Sequence, residues 1–126
     1  MPDLDLVDET FIAVPPKMLA TVFAEPATWR RFWPDLVLEV YADRGDQGFR
    51  WTVRGALVGT MEVWLEPVLD GTVLHYFLRV DLPRPVRAGR LRRELTRRQL
   101  AAKAIALGLK AQLENGRAPG CPPEVG

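Results

Sequence analysis

Arg98 is the residue of this chain best suited by type and position to bind a ligand. A guanidinium stays protonated and carries five N–H donors, so in apolar surroundings it requires an anion or water. Two interpretations stay open: Arg98 binds a carboxylate, phosphate or enolate of a ligand, or it reaches around the helix to solvent or to a carboxylate of the sheet. Its neighbours at spacings of three and four define one apolar helix face. That face consists of Leu91, Leu95, Arg98, Ala102, Ile105, Leu109 and Leu113.

The phenol of Tyr76 and the imidazole of His75 are the other functional groups suited to chemistry. Because side chains alternate along a strand, these two point to opposite faces of the sheet. Tyr76 is predicted to point inward near Trp51, where its hydroxyl orients a ligand carbonyl or acts as a weak general acid. The alternative is a core tyrosine whose hydroxyl is satisfied at the rim. His75 is predicted to point outward beside Phe77, away from any cavity, so we expect neither catalysis nor metal binding from it.

Several chemistries are excluded by the motifs that the sequence lacks. It has no GxGxxG, P-loop, GxSxG or HExxH pattern. One cysteine, Cys121, and one histidine leave no disulfide within the chain and argue against a structural zinc site. The inward strand positions of the predicted sheet hold no Asp or Glu, so no pair of carboxylates is available for acid/base catalysis in a cavity. We therefore predict no catalytic residue, no metal and no cofactor.

Length and composition indicate one globular domain. The chain has 126 residues, of which 48% are hydrophobic and 26% charged. No apolar run approaches the roughly 18 residues that span a bilayer. The N-terminus, MPDLDLVDET, lacks the features of a secretion signal. We expect no transmembrane segment and a cytoplasmic location.

Charge is unevenly distributed although the net charge is only +1. Residues 1–70 hold 12 acidic and 6 basic side chains, whereas residues 71–126 hold 4 acidic and 11 basic ones. Most of the excess is an arginine run over 84–98. It is either a solvated helix face attracted to the acidic half of the chain, or a surface for an acidic partner or anionic lipid headgroups. The run lacks interleaved aromatic residues, so nucleic-acid binding is not expected.

Alternation and turn residues predict five strands and three helices. Asp70-Gly71 is a hairpin signal, and the last three strands should form an antiparallel meander with one apolar face. Two short helices should begin at Pro15-Pro16 and at Thr28, and a long one should run from Arg87 to about Leu113. A domain over 1–116 and a disordered tail over 117–126 complete the prediction. The predicted strands are Glu9–Val14, Leu36–Asp43, Phe49–Arg54, Leu57–Val68 and Thr72–Leu82.

Segments of the chain resemble the START-like (SRPBCC, helix-grip) superfamily, in particular small actinobacterial proteins labelled polyketide cyclase/dehydrase. The resemblance implies an α+β fold: a curved antiparallel sheet of about five strands, two short helices after strand 1, and a long C-terminal helix packed across the sheet. The segments that carry it run from Val14-Pro15-Pro16 through Trp33-Pro34, from Gly59 to Glu66, from Asp70 to Asp81, and from Ala101 to Glu114.

The fold and the pattern together predict a pocket between sheet and C-terminal helix for a small hydrophobic, lipid- or polyketide-like ligand. One alternative is an aromatase/cyclase-type enzyme, in which Arg98 and Tyr76 stabilise an enolate and deliver a proton. A second is an interaction module that uses the arginine-rich helix segment. The predicted lining residues are Trp51, Val53, Met61, Leu65, Tyr76, Leu78, Leu91, Leu95 and Arg98.

The outer sheet face is the expected position of Trp64, Val73 and Phe77. Clustered exposed aromatic residues are typical of an interface, so this face is a candidate homodimer surface. The alternative is a set of scattered surface side chains.

Overall fold

The computed structural model describes residues 1–114, which form a five-stranded sheet with three α-helices. The predicted α+β architecture is confirmed, and the bounds of strands β2 to β5 and of the long helix agree with prediction to within one or two residues. The predicted tail, 117–126, and the domain limit at 116 lie outside the described residues and stay predictions. The elements are β1 (Leu4–Ile12), α1 (Pro16–Phe23), α2 (Pro26–Phe32), β2 (Leu36–Asp43), a 3₁₀ turn (Gly45–Gln47), β3 (Gly48–Gly55), β4 (Val58–Val68), β5 (Gly71–Asp81) and α3 (Ala88–Glu114).

The sheet is antiparallel throughout, in the order β1-β5-β4-β3-β2. Every second residue of a strand points to the same face, and most residues at the inward positions are apolar. In β4 these are Met61, Val63 and Leu65, all buried. Helices α1 and α2 each begin at a proline, Pro16 and Pro26, whose fixed φ suits the first helical position. Helix α3 covers the inner face on the β1 side.

Strand β1 was predicted wrongly as Glu9–Val14; it runs from Leu4 to Ile12. Leu4, Leu6 and Ile12 are buried and share the inward parity with Asp8. An acidic N-terminal sequence resembles a solvated lead-in, but the alternation of apolar and polar residues from Leu4 onward is a strand pattern.

Helix α3 runs beside the open edge of β1 and closes part of it with polar side chains. Lys103 Nζ donates to the Glu9 carbonyl (3.2 Å) and Lys110 Nζ to the Phe11 carbonyl (3.0 Å). The Ala13 N–H donates to the Glu114 carboxylate (2.8 Å). Edge-strand groups that remain open invite pairing with another chain, so these contacts protect the edge as well as anchor the helix.

Two glycines show what the backbone requires. Gly48 has φ +121°, and a Cβ there would lie 1.9 Å from the Val63 carbonyl oxygen, so only glycine fits this approach of β3 to β4. A Cβ at Gly108, in α3, would meet nothing within 4 Å, so no close approach to the sheet requires glycine at this position.

Candidate functional site

An aromatic cluster forms the base of the candidate site; its side chains come from α2, from the residue that follows it, and from β3 and β5. The rings of Trp33 and Tyr76 are nearly parallel, with centroids 6.0 Å apart. Trp51 is fully buried and lies 6.1 Å from Trp33 and 5.7 Å from Trp29. The Trp29 indole N–H donates to the Phe23 carbonyl (2.7 Å), which ties α2 to the end of α1. The ring contacts to Trp51 and Tyr76 pack the cluster against the sheet.

A small cavity lies between this cluster and α3. Its volume is about 10 Å³, close to the minimum that one water molecule requires. Side chains fill the space that a ligand would need. The cavity is lined by Asp8, Phe23, Trp33, Val63, Leu74, Tyr76, Ala102, Ile105 and Ala106.

A surface cleft of about 410 Å³ between α2 and α3 lies next to the cavity. Ile105 lines both, so a single layer of side chains separates the buried space from solvent. Phe32 and Gly108 form the two sides of the cleft. The shared residue makes this cleft the candidate entrance to the cavity.

Two polar side chains, Asp8 and Tyr76, meet at the cavity wall. They are cross-strand partners on β1 and β5, and both line the space. The Asp8 carboxylate accepts from Lys103 Nζ (2.9 Å) and from the Thr10 hydroxyl (3.1 Å). Burial raises the pKa of Tyr76, although a hydrogen bond from Trp33 and the charge of Arg98 oppose that rise, so the phenol stays protonated.

Asp8 corrects the prediction that inward strand positions hold no carboxylate. The error follows from the late start assigned to β1, which placed Asp8 outside the strand. The signal that finds it is the alternation Leu4-Asp5-Leu6-Val7-Asp8, which gives Asp8 the parity of the two leucines.

Arg98 is buried on α3, with 7% exposure, and is paired with two carboxylates of the chain. Its guanidinium donates to both oxygens of Asp35 (3.2 and 2.6 Å) and to Glu94 (2.9 Å). Arg97 contacts the same two acids. Burial raises the pKa of Asp35, but the hydrogen bonds and charges of the arginines outweigh it and lower that pKa. The pair joins α3 to the loop after α2; a ligand-binding role for Arg98 stays a prediction.

The nine predicted lining residues occupy three different places. Only Tyr76 lines the cavity itself. Leu91 and Leu95 are half-buried on the N-terminal half of α3, nearer Arg98 than the cavity. Contact with a ligand stays a prediction for all nine. The residues of this set that lie in the core of the sheet are Trp51, Val53, Met61, Leu65 and Leu78.

His75 lies on the outer face of the sheet, as its parity predicts, yet it is buried. Its ring stacks on Trp64 at 4.2 Å and faces Phe77 at 6.3 Å. Its Nε2 lies 3.0 Å from Glu66, and its Nδ1 lies 3.5 Å from Glu9. Part of the outer aromatic surface is therefore used within the chain, to cover this histidine.

Comparison with known proteins identifies the fold. No family model and no curated protein matches the chain. Among solved structures, a START superfamily protein from Mycobacterium smegmatis aligns with a TM-score of 0.65 at 14% identity, over 86% of this chain and 98% of that one. The Aha1 dimer from Colwellia psychrerythraea gives 0.62 at 14%, over 90% and 98%. The di-domain ARO/CYC StfQ from the steffimycin biosynthetic pathway gives 0.58 at 15%, over 88% and 51%.

Among the helices of residues 1–114, none combines the length and the apolar character that a membrane span requires. The cytoplasmic location predicted from the sequence stays a prediction.

Proposed function

We propose that this chain, which has the START-like helix-grip fold, binds a small hydrophobic ligand between its sheet and α3. The observation that carries the proposal is the position of Ile105, which lines both the buried cavity and the α2–α3 cleft. The cavity wall is almost wholly apolar, as small-molecule sites generally are. A solved structure with this fold, the ARO/CYC StfQ, supports a polyketide-like ligand as one member of the class.

Binding requires the closed cavity to widen, because about 10 Å³ holds at most one water. Ile105 and Phe32 are half-buried and separate the cavity from solvent, so we expect them to move. Across from the aromatic cluster, α3 presents Ala102 and Ala106 in addition to Ile105. The two alanine side chains leave room for a ligand once Ile105 and Phe32 change rotamer and move out of the cavity.

The polar end of the cavity limits the ligand to a molecule with one hydrogen-bonding group. The Asp8 carboxylate is an acceptor and the Tyr76 phenol a potential donor, and both belong to the wall. A hydroxyl group on an apolar skeleton can donate to Asp8 and accept from Tyr76, whereas a keto group can only accept from Tyr76.

The Asp8–Tyr76 pair also favours a second candidate function, an aromatase/cyclase-type enzyme. A carboxylate accepts a proton from the carbon beside a ketone, and a protonated phenol donates a hydrogen bond to the resulting enolate oxygen. Lys103 Nζ and the Thr10 hydroxyl already contact the Asp8 carboxylate, which leaves it less available to accept a carbon-bound proton. For this reason we rank the carrier first.

Binding is tested with naphthalene and 2-naphthol, two fluorescent probes of nearly equal size that differ by one hydroxyl. We expect Ala106→Leu, which fills the cavity wall, to weaken both at least about tenfold, and Ile105→Ala, which opens the gate, to strengthen both. Ala111→Leu, on the exposed face of α3, is the matched control and should bind like the parent. Tyr76→Phe should reduce the preference for 2-naphthol, because the ligand hydroxyl then keeps only Asp8 as a partner. Equal affinity of the folded Ala106→Leu and Ala111→Leu variants would refute the site.

The carrier and the enzyme are separated with 2-tetralone in deuterated water, observed by proton NMR. A carrier binds the ketone without accelerating exchange of its α-protons. An enzyme accelerates exchange, and Asp8→Asn abolishes the acceleration while the probe still binds.

We further propose that the outer face formed by Trp64, Val73 and Phe77 pairs two copies of the chain. All three residues remain partly exposed, and a protein of the same fold has been solved as a dimer. Light scattering should give a dimer mass for the parent chain and a monomer mass for Phe77→Lys; a monomeric parent chain would contradict the proposal.

A further inference from the structure

The segment before and within the first turns of α3 is strongly basic and is not neutralised by its surroundings. Residues 82–93 contain five arginines and no acid. All five are exposed, and within residues 1–114 none of them takes part in an ion pair. Arg97 and Arg98, by contrast, are held by Asp35 and Glu94. The internal pairing that the charge asymmetry suggested therefore involves only the last two arginines of the run. The five free ones are Arg84, Arg87, Arg90, Arg92 and Arg93.

Three of these arginines surround one open groove. Arg87, Arg90 and Arg93 recur every third residue and line a depression of about 650 Å³ at the start of α3. Guanidinium groups bind phosphate oxygens through paired N–H donors, so a groove with three of them suits a phosphate-bearing group.

The solvent face of α3 continues from this basic groove into apolar side chains. Arg93, Leu100 and Leu107 are seven residues apart and lie on one face, opposite the buried Arg98 and Ala102. Leu100 is 68% exposed and Leu107 is 51% exposed. Two large aliphatic side chains in water beside a basic cluster are typical of a helix that lies in a membrane interface.

We propose that α3 docks the protein on an anionic lipid bilayer, with the arginine segment at the phosphate headgroups and Leu100 and Leu107 in the interfacial layer. The helix has 27 residues and a length of about 40 Å, and lies parallel to the membrane. A nucleic-acid surface satisfies the arginines but offers the leucines no apolar environment, and this decides for the bilayer. Docking on the bilayer does not depend on whether the protein binds a ligand. Exchange of a ligand with the membrane rests on the proposed function, and the α2–α3 cleft opens beside this face of the helix.

The test is co-sedimentation with vesicles of phosphatidylcholine alone and of phosphatidylcholine with phosphatidylglycerol. We expect binding only to the anionic vesicles, decreasing as salt rises. Arg90→Gln/Arg93→Gln should weaken it roughly 30-fold, about fivefold for each arginine. The matched control, Arg30→Gln/Arg54→Gln, removes the same charge from exposed arginines elsewhere and should bind like the parent.

A second pair of variants tests the apolar component. Leu100→Ser/Leu107→Ser should weaken vesicle binding at least about tenfold, whereas Val37→Ser/Val58→Ser, at exposed valines on the sheet, should not. Equal losses in the two arginine pairs, leucine-independent binding, or displacement from vesicles by inorganic phosphate or by duplex DNA at equal phosphate concentration would each overturn the proposal. Arg90→Gln/Arg93→Gln should still bind 2-naphthol. Its loss of vesicle binding is then distinguished from failure of the cavity site.

Discussion

Replacing Asp35 by alanine should destabilise the protein more than replacing its buried partner, Arg98, by methionine. In Asp35→Ala, a guanidinium that is only 7% exposed loses two of its three charge-assisted hydrogen bonds and keeps Glu94 alone. Leaving a buried charge short of partners costs about 3–5 kcal/mol. Because Asp35 itself is 38% exposed, we expect the lower end of that range, about 3 kcal/mol.

The reverse substitution removes the buried charge itself. In Arg98→Met, the methionine side chain occupies the apolar space of the arginine stem, Asp35 is hydrated, and Glu94 keeps its contact with Arg97 (2.8 Å). The lost hydrogen bonds are partly offset because no guanidinium has to be desolvated, so we expect a cost of about 1–2 kcal/mol. The double variant should resemble Arg98→Met, which gives a coupling energy of about 3 kcal/mol.

Urea denaturation at neutral pH, followed by circular dichroism, measures all four corners of this cycle. Asp46→Ala, at an exposed acid in the 3₁₀ turn, is the control and should change the free energy of unfolding by no more than about 0.5 kcal/mol. The reasoning fails if Arg98→Met costs more than Asp35→Ala, or if the two costs add in the double variant. Either result would mean that the ion pair does not anchor α3.

Further predictions concern acid stability and the glycines. The pKa values of Asp35 and Glu94 are lowered in the folded chain, because their arginine partners outweigh desolvation. The stability that the two carboxylates supply is therefore present above their unfolded pKa values of 3.8 and 4.5, and it is lost as the pH falls through the lowered pKa values. The free energy of unfolding should fall less steeply with acid in Arg98→Met, and an unchanged slope would contradict this. Gly108→Ala should raise the unfolding free energy by about 0.5–1 kcal/mol, because nothing opposes a Cβ there and alanine favours the helix. Gly48→Ala should lower it by at least about 3 kcal/mol, since its Cβ would meet the Val63 carbonyl at positive φ; urea midpoints that shift in the same direction for both variants would refute this contrast.

Strands β2 to β5 were predictable because turn residues mark their ends and because, most clearly in β3, polar and apolar side chains alternate along the strand. Met61 and Thr60, for example, differ in polarity and point to opposite faces. The inward position of Tyr76 follows from the same rule. In β1, an acid occupies an inward position, and the lysine that compensates it, Lys103, is 95 residues away in sequence. No local sequence pattern predicts an ion-pair partner so far away along the chain.

The candidate site depended on the same kind of distant pairing. The position of Arg98 on the helix stripe predicted its burial, but Asp35, which satisfies it, lies in a loop 63 residues earlier. The cavity volume depends on how side chains of α1, α2, α3 and the sheet fill a common space, which spacing along one element cannot give. His75 shows a third limit, since parity placed it outward whereas cross-strand stacking on Trp64 buries it.

The contacts that bind α3 to the free edge of β1 also restrict how the protein can move and fail. Freeing the C-terminal half of this helix would release the carbonyls of Glu9 and Phe11 and the N–H of Ala13, three hydrogen-bonding groups that a strand from another molecule would readily engage. Ligand uptake by wholesale release of the helix would therefore carry a risk of fibrous association that a side-chain gate avoids. A chain truncated before Ala88 should accordingly self-associate and deposit, rather than persist as an isolated sheet.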